Sequence, residues 1–168
     1  MATVELRDIV TEDDDEAVMG LRRGPRGEGY IGRMVAHYED AARSPEACPR
    51  MWSVHDLDSG RLVGFVMISD GIPQDVLDGD EDIVGPYFLW RLLIDVHDQG
   101  RGYGRATIDA VVDYLRSRPG ADALYTSSVP GQGSPLAFYL RYGFEMTDRV
   151  ADGEQVLRLD LGRSGGRA

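Results

Sequence analysis

A single α+β domain of mixed α/β type, with a mostly antiparallel sheet of about seven strands flanked by about four helices, is the fold class that this chain predicts. Three observations carry it. Short apolar or alternating runs recur between clusters of turn residues, two of the joins (Asp58-Ser59-Gly60 and Asp152-Gly153) are hairpin signals, and helical periodicity is confined to the stretches between strands. With 168 residues, 42% of them apolar, the chain suits one domain and needs no second. The order of strands excludes a doubly wound parallel sheet.

Thr3 to Val10 reads as a strand, followed by a helix to about Leu21 that Thr11 would cap and whose first turn, Glu12 to Glu16, complements the helix dipole. Arg22 to Gly29 breaks the periodicity. Tyr30 to Ala42 resumes it, with Ile31, Met34, Val35 and Tyr38 on the apolar stripe. Met51 to Asp56 and Arg61 to Ser69 form a hairpin, and Asp75 to Asp82 reads as an acidic loop. Pro86 to Asp95 is apolar enough to be a central strand. Beyond a glycine-rich loop, Tyr103, Thr107, Val111 and Leu115 mark the buried stripe of a helix ending near Arg116. Ala123 to Val129 is the next strand and Pro135 to Tyr142 a helix. Phe144 to Val150 and Gln155 to Leu161 close the domain, 1–161, as a second hairpin, and residues 162–168 are expected to be a disordered tail.

The net charge is −11, and all 18 cationic side chains are arginine. Such a surface repels phosphate backbones, so nucleic acid is not an expected partner, and it attracts cations. The acidic run at 75–82 either rims a pocket for a cationic amine or is a solvated surface; both readings stay open. No metal is expected, because His37, His55 and His97 are scattered without ligand spacing. The single cysteine, Cys48, cannot form an internal disulfide and reads as packing. With neither a membrane span nor a secretory leader in view, no membrane partner is expected and a cytoplasmic location follows.

The run Gln99-Gly100-Arg101-Gly102-Tyr103-Gly104, between an apolar strand and a helix, is an anion cradle. Its glycines let the backbone approach a ligand closely, and the first N–H groups of the helix point into the loop, a fitting arrangement for a diphosphate. A P-loop is excluded by the absence of lysine, and a dinucleotide fingerprint by Arg105 and Thr107, which stand where glycine or alanine is required.

The remaining form, Gln/Arg-x-x-Gly-x-Gly/Ala, resembles the coenzyme A loop of the GNAT N-acetyltransferase superfamily, with Gln99, Gly102 and Gly104 in its fixed positions. From Thr3 to Leu161 the rest of the chain agrees. Trp90 to Asp95 looks like that family's fourth strand, whose splayed backbone hydrogen-bonds the pantetheine arm, and Ser134 to Phe144 looks like its last helix. The bacterial diamine and polyamine acetyltransferases (spermine/spermidine type) share the Leu-Trp-Arg strand and an Asp-Gly-Glu turn, here Asp152-Gly153-Glu154. The resemblance implies a GNAT-like domain and acetyl-CoA as cosubstrate, bound by Leu92, Ile94, Gln99, Gly100, Arg101, Gly102, Tyr103, Gly104 and Arg105. It further implies transfer of the acetyl group to a small cationic amine, and a homodimer as the common assembly.

Within that resemblance Tyr139 stands where the family places the tyrosine that protonates the departing thiolate, and Tyr142 reads as packing. The family's fourth-strand glutamate is replaced near Phe88, so the carboxylates left to bind or deprotonate the amine are Glu28, the preferred choice, Asp70 and Asp95. Asp95 also suits a role in the turn before the glycine loop. Tyr87 and Trp90 are either core residues or an aromatic wall for an alkyl-ammonium. An aminoglycoside-like acceptor, a protein acceptor, and a non-catalytic acyl-CoA-binding module are the competing functions.

Overall fold

The computed structural model describes residues 1–24 and 34–162. Among them, seven strands form one sheet and five helices cover it. The elements run β1 (Val4–Asp8), α1 (Glu12–Met19), α2 (Met34–Arg43), a 3-10 turn (Pro45–Ala47), β2 (Pro49–Asp56), β3 (Leu62–Asp70), α3 (Gln74–Gly79), β4 (Tyr87–Ile94), α4 (Tyr103–Leu115), β5 (Ala123–Ser128), α5 (Leu136–Tyr142), β6 (Glu145–Ala151) and β7 (Glu154–Asp160). The expected strands are all present. The acidic run at 75–82 is not simply a loop: its first half belongs to α3, a helix of one and a half turns too short for periodicity to reveal. The expected helical start at Tyr30 and Ile31 lies outside the described residues, as does the tail beyond Gly162.

Local chemistry accounts for the boundaries. Thr11 caps α1 in a reciprocal box: its hydroxyl accepts from the Asp14 amide at 3.1 Å, and the Asp14 carboxylate accepts from the Thr11 amide at 3.0 Å. The second hairpin turns through Asp152 (φ 48°) and Gly153 (φ 76°), the pair of left-handed residues that a tight turn between twisted strands requires.

Strand order is β1-β2-β3-β4-β5-β7-β6, antiparallel throughout except between β4 and β5. On one face, Val54, Val66, Ile68 and Leu89 pack against Ile108, Val111 and Leu115 of α4 and against Tyr139 of α5. On the other, Phe65, Met67 and Leu93 meet Val18 of α1 and Ala41 of α2, and a third cluster gathers Val84, Ala151 and Val156 near Phe88 and Tyr125. The stripe expected on α4 is core: Thr107, Val111 and Leu115 are fully buried and Tyr103 packs at its edge.

Two irregularities make room for a site. The β3 register passes from Met67 opposite Arg91 to Ile68 opposite Leu89, leaving Trp90 as an extra residue, a β-bulge. The bulge inverts the alternation along β4: Leu89 faces α4 before it and Leu92 after it, although they are three residues apart. The parallel pairing of β4 with β5 is limited to Phe88–Tyr125 and Leu89–Thr126. Beyond those two pairs the strands diverge, and the gap between them is open.

Candidate active site

The larger opening is a cavity of about 540 Å³ between the end of β4, the 98–105 loop and α5. Its floor is Leu92, Leu93 and Ile94; its upper rim is Gln99, Gly100, Gly102, Gly104 and Arg105. Gly102 holds the N-cap of α4 at φ 91°, a conformation that excludes most side chains, and no side chain caps the helix. The first amides of α4 therefore open onto the cavity with their partial positive charge uncancelled, a setting for an anion.

A polar frame beneath the loop fixes its shape. The Asp95 carboxylate accepts from the amides of Arg22 (2.9 Å) and His97 (3.0 Å), and its carbonyl accepts from the amides of Asp98 and Gln99. Asp95 is thus the turn residue its position suggested, and its oxygens are spent on backbone. The Gln99 side chain donates to the Ile94 carbonyl at 3.0 Å. Asp98, 2% exposed, receives both terminal nitrogens of Arg61 at 2.7 Å, which hold its carboxyl below the usual carboxylate range.

Of the nine residues named for the cofactor, seven line this cavity and two do not. Arg101 turns to Asp98 at 3.5 Å and is well exposed, and Tyr103 donates its hydroxyl to Asp56 at 2.9 Å while its ring joins the core. Sequence reasoning missed Arg141, which brings a second guanidinium to the cavity from α5, and Phe138, which closes its side. Only the packing of α5 against α4 joins them to the loop, so no local motif could have named them.

Tyr139 is 7% exposed and borders both this cavity and a second, smaller one of about 150 Å³. Burial pushes its phenol up to about 12, against the opposing pull of the Thr126 hydroxyl and the Arg91 charge. Tyr142, three residues on, borders neither cavity. Its hydroxyl donates to Asp109 at 2.7 Å, Arg105 lies over its ring at 5.2 Å, and burial raises its phenol also. That is the packing role expected of it.

The smaller cavity lies in the gap between β4 and β5, lined by Phe88, Trp90, Arg91, Ser127, Tyr139 and Glu154 among others. Trp90 is a core residue that also borders this cavity: its indole N–H donates to Ser69 at 2.6 Å and the ring packs on the second core cluster. Tyr87 is core, 2% exposed, with its hydroxyl on the Pro119 carbonyl. Glu28 lies outside the described residues. Asp70 faces away from both cavities, held by the Tyr114 hydroxyl (2.6 Å) and Arg118 (2.9 Å), and the acidic residues of 75–82 line neither. Among the described residues no group of three His, Cys, Asp or Glu could hold a metal ion, and no helix is long and apolar enough to cross a membrane.

An uncapped helix behind a glycine loop, two arginines beside it and a buried phenol between two cavities fit an anionic carrier in the larger opening and an acceptor in the smaller. Comparison with known proteins assigns the chain to a family. Over 153 residues, 90% of this chain and 95% of each relative, the chain is 27% identical to "Probable spermine N(1)-acetyltransferase" of Bacillus subtilis subsp. natto (strain BEST195) and 26% identical to "Spermine/spermidine N(1)-acetyltransferase" of Bacillus subtilis (strain 168). The acetyltransferase from Agrobacterium tumefaciens str. C58 shares the fold at a TM-score of 0.64 and 18% identity, over 93% of this chain and 90% of that one. AtaTR, solved with AcCoA bound, does so at 0.62 and 18%, over 95% and 93%. The model of the acetyltransferase (GNAT) family matches residues 52–144, more than half of the chain, and the protein belongs to that family.

Proposed function

We propose that this acetyltransferase uses acetyl-CoA to acetylate a primary amine of a small cationic acceptor of the diamine or polyamine type. The observation that carries the reading is the meeting of the two cavities at Tyr139. The larger supplies what a nucleotide diphosphate needs, an open helix N-terminus with Arg105 and Arg141 on the rim, and its apolar floor of Leu92, Leu93 and Ile94 suits a pantetheine arm. Among the described residues the smaller has aromatic walls and one carboxylate, which suit an alkyl-ammonium. The names of the two Bacillus relatives and the acidic net charge favour the same acceptor class.

Transfer requires the amine nitrogen and the thioester carbon to be held in line, and the wall between the cavities does this positioning. As nitrogen adds to the carbonyl carbon and the carbon–sulfur bond breaks, Tyr139 donates its phenolic proton to the sulfur and is then reprotonated. A phenol held near 12 stays protonated through the neutral range, so the donor form is fully populated where the enzyme works.

The test is thiol release from acetyl-CoA against spermidine, spermine, short diamines, an aminoglycoside and a lysine peptide. Turnover confined to the linear amines and lost in Tyr139→Phe is the expected result. Turnover with the aminoglycoside or peptide alone reassigns the acceptor, and thiol release with none of them, despite acetyl-CoA binding, makes the protein a binding module.

A further inference from the structure

An aliphatic ammonium has no lone pair, so an amine arriving as a cation must be anchored by a negative group and relieved of a proton before it attacks. We infer that Glu154 is that group: its carboxylate receives the acceptor's ammonium in the gap between β4 and β5, while Phe88 and Trp90 wall the acceptor's carbon chain. The inference rests on the acetyl-transfer reading and names its acceptor site.

Placement comes first. Among the described residues, Glu154 is the carboxylate that lines the cavity bordered by Tyr139. It opens β7, and alternation puts it on the same face as Val156, which packs with Phe88 and Tyr125, and opposite to Leu157, which is buried under α4. Ser127, two residues beyond Tyr125 on β5, shares that face. Its hydroxyl donates to Glu154 Oε2 at 2.5 Å, fixing one oxygen while Oε1 has no hydrogen bond from a described residue.

Charge accounting singles out the same residue. Arg91 is the cation on the cavity wall, and its guanidinium is committed elsewhere: Nε donates to His37 Nδ1 at 3.1 Å, Nη1 to the Trp90 carbonyl at 2.8 Å, and Nη2 lies 3.5 Å from Asp40. Glu154 forms no ion pair with any described arginine. Asp40, Asp70 and Asp95 are each occupied by protein partners. A carboxylate partly buried beside aromatic rings, with its charge unmatched, is costly unless a cation joins it.

The step balances. Glu154 takes one proton from the ammonium; the free amine forms the nitrogen–carbon bond; the carbon–sulfur bond breaks and the thiolate takes the Tyr139 proton. The second amine proton and the proton on Glu154 leave to Tyr139 and to solvent. The products are the amide, the free thiol and one released proton.

Glu154→Gln keeps the shape and an acceptor for Ser127 while removing the charge. In the full-length protein it should leave acetyl-CoA affinity by calorimetry within about twofold of wild type. It should weaken spermidine binding to the CoA-loaded protein at least about tenfold and lower kcat/KM for spermidine about a hundredfold, within the range for a lost general base. The residual rate should climb about tenfold per pH unit toward the amine's own pKa, where the wild type levels off; a residue that only braces the fold would not change that profile. Glu154→Asp should recover part of the rate. Wild-type kcat/KM and spermidine affinity in Glu154→Gln overturn the inference and leave acetyl transfer standing. If no amine elicits thiol release from the wild type, acetyl transfer is overturned; Glu154 is then judged on spermidine binding alone, and binding that is absent or indifferent to the substitution overturns it too.

Discussion

Tyr139 and Tyr142 stand three residues apart on one short helix, and their surroundings separate them. Tyr139 borders both cavities, whereas the Tyr142 hydroxyl is bound to Asp109. Tyr139→Phe should therefore lower kcat by roughly tenfold to a thousandfold with acetyl-CoA affinity retained, and Tyr142→Phe should change kcat little. Steady-state kinetics of the two variants decide it, and a reversed pattern reassigns the acid. Gly102 offers a second single-residue test. Alanine there would have to adopt φ near 91°, which costs on the order of 1–2 kcal/mol, so the loop would relax and its amides would leave their common focus. Acetyl-CoA binding should weaken by about tenfold or more, read by calorimetry; undiminished affinity would separate the loop from the ligand.

Among the elements, β3 and β4 have the least tolerance. A methyl group on Gly64 would lie 2.4 Å from the Leu93 carbonyl oxygen, inside the backbone of the neighbouring strand, where neither partner can yield. Gly64→Ala should destabilise the protein by about 1–3 kcal/mol, the usual scale of overpacking, as a lowered urea midpoint with an unchanged slope. The strands and their hairpins were legible in the sequence because their signals are local: alternation within each run, and Asp-Gly or Ser-Gly where the chain reverses. The α4 stripe was legible for the same reason. The helix α3 was not, since six residues hold too little periodicity, and neither was the bulge at Trp90, which exists only as a mismatch between partners. The same division runs through the candidate site. Its glycine loop is a contiguous motif, and Tyr139 has a fixed offset from Gly143. Arg141, Ser127 and Glu154 come together with them only after β5, α5 and β7 are assembled, and no spacing along the chain encodes that.

Taken whole, the molecule should have a stability plateau bounded on both sides. Arg61 holds Asp98 below its ordinary pKa, as the Val10 amide holds Asp14 and Ser59 holds Asp56, both half-buried. Lowered carboxyl groups contribute fully above the unfolded value near 4 and lose that contribution as pH falls through their folded values. The phenols act in the opposite direction: Tyr139, Tyr142 and Tyr114 ionise less readily folded than unfolded, so the unfolded chain sheds protons first and stability declines as pH rises above about 10. Urea midpoints measured from pH 3 to 11 should be flat between about 5 and 9 and fall at both ends; a steady slope across the neutral range would contradict both assignments. The limited contact between β4 and β5 has a different consequence. Strands β1 to β4 form one antiparallel ladder and β5, β7 and β6 another, and the backbone joins the two through only two residue pairs. The amides of each ladder should exchange with deuterium as a separate cooperative group in the unliganded protein, because little backbone bonding makes one half open with the other. A ligand spanning the gap would touch both halves and should bring the two exchange rates together, whereas a single rate before ligand addition would show that the helices already weld the halves. The gap proposed to admit the acceptor is thus also the line along which the native state would first part.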